Sequence, residues 1–319
     1  MSRYPQVTRD DVMAATKRIS GSVLRTPLLD TEIRGQRLWL KCECLQTGGS
    51  FKLRGASNRL MLLDEEERRR GVVAFSSGNH AQGVAIAAKR LGIPAVIVMP
   101  SDAPGPKVEG TRAQGAEIVL YDRRSEDRVE IAERIAGETG ATVVPSFDDP
   151  HIVAGQGTVG LEILDQLNEA GAMPLKQIVV NCGGGGLSAG IALACPDAGI
   201  VPVEPEGWDD MRRSLEIGEI VPVDPDAPPT MCDAIQTPLV SPITFDILHA
   251  RGAQGVAVSE DEVAEAVRWA WQEHGLVVEP GGAASIAAVL SGKVEIVSET
   301  VVVVSGGNID PALHARLVV

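Results

Sequence analysis

The sequence predicts an α/β fold built on parallel sheets, and two observations lead to this prediction. Short continuous runs of Val, Ile and other apolar residues recur along the chain, which is typical of strands buried on both faces. Between these runs lie longer segments with Ala-rich or amphipathic patterns, which are typical of helices. The alternation indicates strand–helix–strand units, and such units form parallel sheets that are covered by helices.

The predicted strands are distributed over nearly the whole chain. Each run is short and is bounded by glycine, proline or polar residues, which favours a strand over a helix. In chain order, we predict strands at residues 37–41, 72–75, 95–99, 117–121, 141–144, 177–180, 201–203, 255–258 and 300–304.

Helices are predicted between these strands. Residues 82–91 are rich in alanine and end at Gly92, residues 111–115 have a helical pattern, and residues 126–137 form a charged amphipathic segment. Ser259 precedes three acidic residues, which is the pattern of a helix N-cap followed by acids in the first turn. We therefore expect the strands to be connected mainly by helices.

Length and charge exclude several classes of protein. A chain of 319 residues favours two domains, and its net charge of −14 argues against binding to nucleic acid. No apolar run reaches the roughly 18 residues of a membrane helix, and the first residues lack the apolar stretch of a signal peptide. The five cysteines are scattered and include no Cys-x-x-Cys pair, which predicts free thiols. We expect a cytoplasmic protein without membrane partners.

A run of four glycines, Gly183 to Gly186, follows the strand at 177–180 and precedes a helical segment. Without side chains, the backbone N–H groups of such a run can converge on an anion at a helix start, and phosphate is the natural ligand. The alternative is a flexible turn. Neither the Gly-x-Gly-x-x-Gly pattern nor a following Gly-Lys-Ser/Thr is present, so dinucleotide and P-loop sites are disfavoured.

Three further motifs carry reactive or polar groups. Lys52 follows a Gly/Ser loop at the start of a predicted helix, where the helix field and burial would lower its pKa and give a usable amine. An ordinary surface lysine is the alternative. The segment 76–80, Ser-Ser-Gly-Asn-His, suits a carboxylate or a ring hydroxyl, and Ser305 follows a buried strand at a position where ligands collect.

Taken in order, these motifs resemble the fold type II family of pyridoxal-phosphate enzymes, and within it the branch of serine/threonine dehydratases and serine racemase. The resemblance extends from about Arg25 to Asp310. It implies a tryptophan synthase β-like fold with two three-layer, parallel-sheet domains. Residues 1–48 plus 146–319 would form a large cofactor-binding domain and residues 49–145 a small mobile domain.

The resemblance also implies roles for the residues of the motifs. Lys52 would form the covalent link to pyridoxal 5'-phosphate and would act as the general base at Cα. Ser77 matches the position that the racemase uses as the base on the opposite face. The other cofactor contacts would be Phe51 packed on the ring, Asn79 at the ring hydroxyl, Ser305 at the pyridine nitrogen, and Gly183, Gly184, Gly185 and Gly186 around the phosphate.

Substrate contacts follow from the same resemblance. The α-carboxylate of an amino acid would be bound by Ser76, Ser77, Asn79 and His80. Arg128 matches a racemase position that faces the far end of the substrate, where a guanidinium can pair with a second carboxylate. Arg128 therefore makes a 3-hydroxyaspartate substrate an alternative to serine and threonine, while a helix-surface arginine remains the simpler interpretation.

A divalent-cation site is implied by the segment 203–210. Glu204 and Asp210 would supply carboxylates and Trp208 a backbone carbonyl, and oxygen ligands of this kind suit Mg²⁺, Ca²⁺ or Mn²⁺. The role of the ion would be structural. The alternative is an acidic surface loop in an acidic protein.

The resulting hypothesis is a pyridoxal-phosphate-dependent ammonia-lyase, a dehydratase that converts L-serine- or L-threonine-type β-hydroxy amino acids to 2-oxo acids and ammonia. Within the same fold, the alternatives are 3-hydroxyaspartate dehydration, serine racemisation and β-replacement. An alternative from another class is a non-catalytic protein that binds a phosphate-bearing ligand. Family resemblance also predicts a homodimer.

Overall fold

Two separate sheets organise the chain in the computed structural model, which describes residues 6–76, 78–103 and 105–319 apart from the side chains of residues 106 and 107. Ser77 lies outside the described residues. The strands are β1 (Leu28–Ile33), β2 (Gln36–Cys42), β3 (Val72–Phe75), β4 (Ala95–Pro100), β5 (Glu117–Tyr121), β6 (Thr142–Val143), β7 (Gln177–Asn181), β8 (Gly199–Pro205), β9 (Val256–Val258) and β10 (Thr300–Val304).

Helices connect most of these strands. They are α1 (Arg9–Arg18), α2 (Lys52–Met61), α3 (Glu65–Arg70), α4 (Asn79–Leu91), α5 (Gly105–Arg112), α6 (Arg128–Thr139), α7 (Pro150–Glu169), α8 (Gly186–Ala194), α9 (Asp210–Ile217), α10 (Pro242–Ala250), α11 (Glu260–His274), α12 (Pro280–Leu290) and α13 (Pro311–Leu317). Ser259 caps α11, as its pattern predicts, and its side chain accepts a hydrogen bond from the Glu262 amide.

The six-stranded sheet has the order β1-β2-β10-β7-β8-β9, and every neighbouring pair is parallel except β1 and β2. Successive valines of β10 point to opposite faces of this sheet. Val301 and Val303 join the core on one face, and Val302 and Val304 join the core on the other. Burial of both faces explains the continuous valine run, because each fully buried valine stabilises the fold by about 1.5–3 kcal/mol.

Strand β1 is absent from the predicted strands. Its sequence, Leu-Leu-Asp-Thr-Glu-Ile, mixes apolar and polar residues because it lies at the sheet edge with mostly half-buried or exposed side chains. It pairs antiparallel with β2 through a turn at Arg34 and Gly35, both of which have positive φ. An edge strand of this kind has no continuous apolar run to identify it.

The four-stranded sheet has the order β5-β4-β3-β6 and is wholly parallel. The predicted helix at 111–115 is wrong in its bounds, because α5 ends at Arg112 and the chain turns at Gly115, where φ is +87°. The predicted strand at 141–144 is shortened to the two residues of β6, which pair with the first two residues of β3.

Helix α7 packs against both α2 and α8, and glycines allow both contacts. A Cβ added at Gly155 would lie 2.6 Å from the Cα of Gly55 on α2, and one added at Gly157 would lie 2.6 Å from the carbonyl oxygen of Gly190 on α8. Neither position can carry a side chain without separating the helices. Helix α7 therefore fixes the spacing between α2, which begins with Lys52, and α8, which begins at Gly186.

Helix α2 is also anchored by a buried guanidinium. Arg54 is fully buried and forms two hydrogen bonds to the Glu43 carboxylate and two to the Glu162 carboxylate, with N–O distances between 2.7 and 2.8 Å. Lys41 also binds Glu162, at 2.7 Å. Two basic and two acidic side chains thus offset one another, which a buried charge requires.

All five cysteines are free and buried, as predicted. Among the described residues, no helix combines the length and the apolar character that crossing a bilayer requires.

Candidate active site

A cavity of about 390 Å³ brings residues of the two sheets together. Its walls include the residue that follows β3, the start of α4, the segment after β6 and the glycine run before α8. The cavity lies beyond the carboxyl ends of β3, β7 and β10, where parallel sheets present their loops and helix starts. The predicted residues that line it are Phe51, Lys52, Ser76, Asn79, His80, Arg128, Gly183, Gly184, Gly185, Gly186 and Ser305.

Lys52 is the first residue of α2 and extends its amine toward the segment after β6. Its Nζ donates a hydrogen bond to the carbonyl oxygen of Ser146 at 3.0 Å, and it lies 5.1 Å from the centre of the Phe51 ring. The residue is only half-buried because it lines the cavity, but burial of the amine lowers the pKa of Lys52 to about 8. About a tenth of this amine is uncharged at pH 7 and about half at pH 8, and the uncharged form can act as a nucleophile or a base.

The glycine run connects β7 to α8 and forms a cradle without side chains. Gly185 has a φ of +86°, and a Cβ there would lie 2.8 Å from Met211 and Thr244. A Cβ at Gly183 would lie 2.9 Å from the Thr237 hydroxyl, and one at Gly184 would overlap the Phe147 ring. The start of α8 directs backbone N–H groups toward the cradle, which suits an anion such as phosphate.

Ser305 follows β10 and is oriented by an asparagine. The Asn181 amide donates a hydrogen bond to the Ser305 Oγ at 2.9 Å and others to the carbonyls of Gly282 and Val303. Because the serine oxygen accepts this bond, its own hydrogen remains available to an acceptor in the cavity. Sequence reasoning gave Asn181 no role, although its position directly before the glycine run is a recognisable signal.

Asn79 is held by two polar partners that fix the direction of its amide. Its Nδ2 donates to the Glu279 carboxylate at 2.5 Å, and its Oδ1 accepts from the Asn308 amide at 2.7 Å. Glu279 is 2% exposed and lines the cavity. The sequence analysis missed Glu279, for which the only signal is an acid directly before Pro-Gly-Gly. Among the described residues, Asn79 Nδ2 has no second acceptor, so its other hydrogen is available to a ligand.

Ser76 and Arg128 also line the cavity. The Ser76 hydroxyl accepts a hydrogen bond from the Gly78 amide at 3.2 Å, so it is tied to the loop before α4. Arg128 begins α6, is exposed, and places its guanidinium 5.7 Å from the centre of the Phe75 ring. In the described part of the chain, Arg128 has no carboxylate partner, so an incoming anion meets an unpaired cation.

The predicted metal ligands lie outside the lining of this cavity. Glu204 accepts hydrogen bonds from the amides of Met211 and Arg212, and Asp210 accepts one from the Val240 amide at 2.7 Å. The other carboxylate oxygen of Asp210 is buried and has no hydrogen-bond partner among the residues that the structure describes. Trp208 is nearby in the chain, and its indole donates to the Pro228 carbonyl at 2.7 Å.

Burial and electrostatic repulsion shift the pKa values of Glu204 and Asp210. Both effects raise the pKa of Glu204 well above its usual range, and burial raises the pKa of Asp210 to about 7. Among the described residues, however, no group of three or more His, Cys, Asp and Glu side chains is arranged to hold a metal. A cation here would need backbone carbonyls and water to complete its coordination.

Comparison with known proteins agrees with this geometry. The family model described as pyridoxal-phosphate dependent enzyme matches residues 19–307. This chain belongs to the family of pyridoxal-phosphate dependent enzymes. The family is enzymatic, so the comparisons do not support the alternative of a non-catalytic phosphate-binding protein.

Individual relatives of this pyridoxal-phosphate dependent enzyme are similar over almost its full length. It is 43% identical to an L-threo-3-hydroxyaspartate ammonia-lyase of Pseudomonas over 96% of this chain and 97% of the relative. It is 40% identical to an L-threonine ammonia-lyase of Thermotoga maritima over 98% of this chain and 78% of the relative. The solved structure of maize serine racemase superposes with a TM-score of 0.91 at 35% identity, covering 98% and 97% of the two chains. The predicted fold type II architecture is confirmed.

The residues present fit pyridoxal phosphate in chemical type. A cradle of glycines beside a helix start suits its phosphate, and the available Ser305 hydroxyl suits a pyridine nitrogen. The Lys52 amine suits its aldehyde. Every cofactor- and substrate-contact residue that the resemblance implies lines the cavity except Ser77, which lies outside the described residues.

Proposed function

We propose that this enzyme is an ammonia-lyase that removes water from β-hydroxy amino acids of the L-serine and L-threonine type and releases 2-oxo acids and ammonia. The observation on which the proposal depends is the Lys52 amine, which lies in the cavity with a lowered pKa, between the glycine cradle and the start of α4. Relatives named as ammonia-lyases of threonine and of hydroxyaspartate support this reaction class.

The proposed cofactor contacts follow the observed hydrogen bonds. The glycine cradle would hold the phosphate, Phe51 would pack on the ring, and the free hydrogen of Asn79 Nδ2 would bond the ring hydroxyl. Ser305 would donate to the pyridine nitrogen, because its oxygen already accepts from Asn181. When bound, pyridoxal phosphate supplies an electron-withdrawing ring that makes the Cα proton of an attached amino acid removable.

The chain's own groups then perform the acid–base work. The uncharged Lys52 amine can accept the proton from Cα, and a pKa of about 8 leaves it able to return that proton afterwards. The start of α4 and the Ser76 hydroxyl would bind the α-carboxylate. Ser77, as a base on the opposite face, stays a prediction, and recovery of D-serine from L-serine would support the racemase alternative.

The test uses the purified, cofactor-loaded enzyme and its Lys52→Ala variant. We expect wild type to release 2-oxo acid from L-serine or L-threonine, and Lys52→Ala to lose both turnover and the covalent cofactor link. Lys176→Ala is the matched control, since Lys176 is exposed and remote from the cavity lining. Turnover by Lys52→Ala would refute the assignment of Lys52 as the reacting amine. If wild type released no 2-oxo acid from any β-hydroxy amino acid, the lyase reaction would be refuted.

A second candidate substrate is 3-hydroxyaspartate, and Arg128 is the observation that favours it. Its guanidinium lines the cavity without a carboxylate partner in the described structure, so it can pair with the second carboxylate of such a substrate. The 43% identical relative named for L-threo-3-hydroxyaspartate supports the same choice. The two substrate types share one reaction and differ only in the group that Arg128 meets.

We also propose a structural divalent cation, Mg²⁺, Ca²⁺ or Mn²⁺, at Glu204 and Asp210. The support is the unpartnered Asp210 oxygen beside a second buried carboxylate with a raised pKa. We expect Mg²⁺, Ca²⁺ or Mn²⁺ to raise the melting temperature of wild type and to leave that of Asp210→Asn unchanged. Glu219→Gln, at an exposed acid, is the control. An equal response of all three proteins would contradict the site.

A further inference from the structure

The imidazole of His80 has one fixed tautomer. His80 is 3% exposed and lines the cavity, and its Nε2 lies 2.9 Å from the carbonyl oxygen of Val144. A carbonyl oxygen can only accept a hydrogen bond, so Nε2 must carry the hydrogen. In the neutral ring, Nδ1 then has a lone pair and no hydrogen.

The other ring nitrogen is poorly suited to a carboxylate. Within the described structure, Nδ1 of His80 is buried and has no hydrogen-bond partner. Burial and the nearby Lys52 cation lower the pKa of His80 to about 3, so the ring stays neutral at the pH of any ordinary assay. A bare lone pair repels a carboxylate, which accepts hydrogen bonds and donates none.

Backbone amides near His80 are better suited to the substrate carboxylate. Helix α4 has 13 residues, and its first backbone bond runs from the Gln82 amide to the Gly78 carbonyl. The amides of residues 79–81 precede that bond and are the N–H groups that a helix start offers to an anion. The backbone amide of His80 can therefore bind the carboxylate, and the imidazole can have a different role.

The side chain holds the segment that links β6 to α7. Val144 follows β6 directly, and its carbonyl accepts the His80 bond while its amide donates to the Val73 carbonyl at 2.9 Å. Two residues later, the Ser146 carbonyl accepts the bond from Lys52 Nζ at 3.0 Å. His80 and Lys52 thus bind the same three-residue segment, one from the α4 side and one from the α2 side.

We propose that His80 is a positioning residue that acts through Val144. By holding residues 144–146, it places the Ser146 carbonyl where the Lys52 amine binds, and so fixes the amine relative to the helix start that binds the carboxylate. The proposal rests on the proposed function, since it takes Lys52 as the reacting amine. It assigns the His80 ring no contact with the substrate.

Three variants separate this role from carboxylate binding. Gln places its side-chain nitrogen as far from Cβ as Nε2 of histidine, whereas Asn reaches only as far as Nδ1, and Leu supplies no donor. We therefore compare His80→Gln, His80→Asn and His80→Leu, with the exposed His151→Gln as the control. Melting temperatures of all four establish that each variant is folded.

Two readouts are measured on each protein. The first is the split between kcat and KM for the β-hydroxy amino acid that wild type turns over. The second is the rate at which the apo-enzyme captures added pyridoxal phosphate on Lys52, followed by absorbance and by borohydride trapping. The second readout requires no turnover, so it still tests His80 if the proposed lyase function fails.

We expect His80→Gln to stay close to wild type in both readouts. Loss of the hydrogen bond in His80→Asn and His80→Leu should lower kcat and the capture rate about tenfold, with KM little changed. Rescue by Asn instead of Gln, or a raised KM at unchanged kcat, would overturn the proposal, because either result places the ring on the substrate. Equal loss in Gln and Asn, or no loss in Leu, would overturn it as well.

Discussion

At the scale of single residues, Lys52 shows how an ordinary lysine becomes reactive. Burial of its amine opposes a positive charge, and the pKa of Lys52 falls to about 8. The Ser146 carbonyl gives the amine a defined position, since it accepts a hydrogen bond in either protonation state. The residue is therefore ready to react before any ligand arrives.

Arg128 provides the residue-scale prediction on substrate choice. Arg128→Ala removes the unpaired guanidinium from the cavity wall, so kcat/KM for 3-hydroxyaspartate should fall about 10- to 100-fold, because a charge-assisted pair is worth about 1.5–3 kcal/mol. With serine, the same change should have little effect. Exposed Arg134 lies two turns further along α6, and Arg134→Ala is the control.

Steady-state kinetics of the two variants on both substrates provides the measurement. An equal loss of kcat/KM for serine and for 3-hydroxyaspartate would show that Arg128 does not recognise the second carboxylate. Turnover of 3-hydroxyaspartate by Arg128→Ala at the wild-type rate would contradict the second candidate substrate as argued from this residue.

At the scale of secondary structure, the contacts of α7 determine the geometry of the site. Gly155 touches α2 and Gly157 touches α8, so one helix sets the distance between the lysine and the glycine cradle. Arg54, bound to Glu43 and to Glu162 of α7, opposes any sliding of α2. Removal of either carboxylate would leave a buried cation partly unpaired, which costs about 3–5 kcal/mol.

The glycine contact yields a prediction with a matched control. Gly155→Ala places a methyl group 2.6 Å from the Gly55 Cα, so we expect a loss of about 1–3 kcal/mol in unfolding free energy. Gly137→Ala, at an exposed position of α6, meets no atom within 4 Å and should gain about 0.5–1 kcal/mol in unfolding free energy.

Urea denaturation, followed together with 2-oxo acid release, checks both changes. Gly155→Ala should lower activity as well as stability, because it displaces α2 from α7, and Gly137→Ala should leave activity unchanged. If Gly155→Ala had wild-type activity and stability, α7 could not be setting the spacing of the site.

How far the sequence predicts this architecture depends on whether a signal is local. Val301 to Val304 and the glycine run are contiguous, so their strand and cradle could be read directly. Glu279 and Asn308 contact Asn79 from positions 200 or more residues away in the sequence, and no local sequence pattern predicts these contacts. Edge strand β1 was not predicted because most of its side chains are half-buried or exposed, so it has no continuous apolar run. Local chemistry was predictable, whereas long-range partners were not.

At the scale of the whole molecule, the cavity lies between two sheets, which are connected by residues 43–71 and 144–176. We propose that residues 49–145 move as a small domain against residues 1–48 plus 146–319, with α2 kept in its contact with α7 and the motion carried by the four-stranded sheet. Because the walls come from both parts, closure would bring Arg128 and the start of α4 toward the glycine cradle and exclude water.

Small-angle X-ray scattering tests this motion. We expect the radius of gyration of the cofactor-loaded enzyme to fall when an amino acid without a leaving group, such as L-alanine, is added at saturation. An unchanged radius, with binding confirmed by absorbance, would contradict closure. The homodimer and the cytoplasmic location also stay predictions, and sedimentation equilibrium would check the first.

The pairing of β2 with β10 has a consequence for how the chain is made. β10 is the central partner of β2 and β7, yet it leaves the ribosome some 260 residues after β2. The four-stranded sheet, by contrast, uses only residues 72–143 and can form while synthesis continues. The six-stranded sheet cannot be completed until β10 has been synthesised, because β10 lies between β2 and β7. Since Ser305 follows that strand directly, the wall of the cavity is completed only after residue 305 has been synthesised, and a shorter nascent chain lacks the hydroxyl proposed for the pyridine nitrogen.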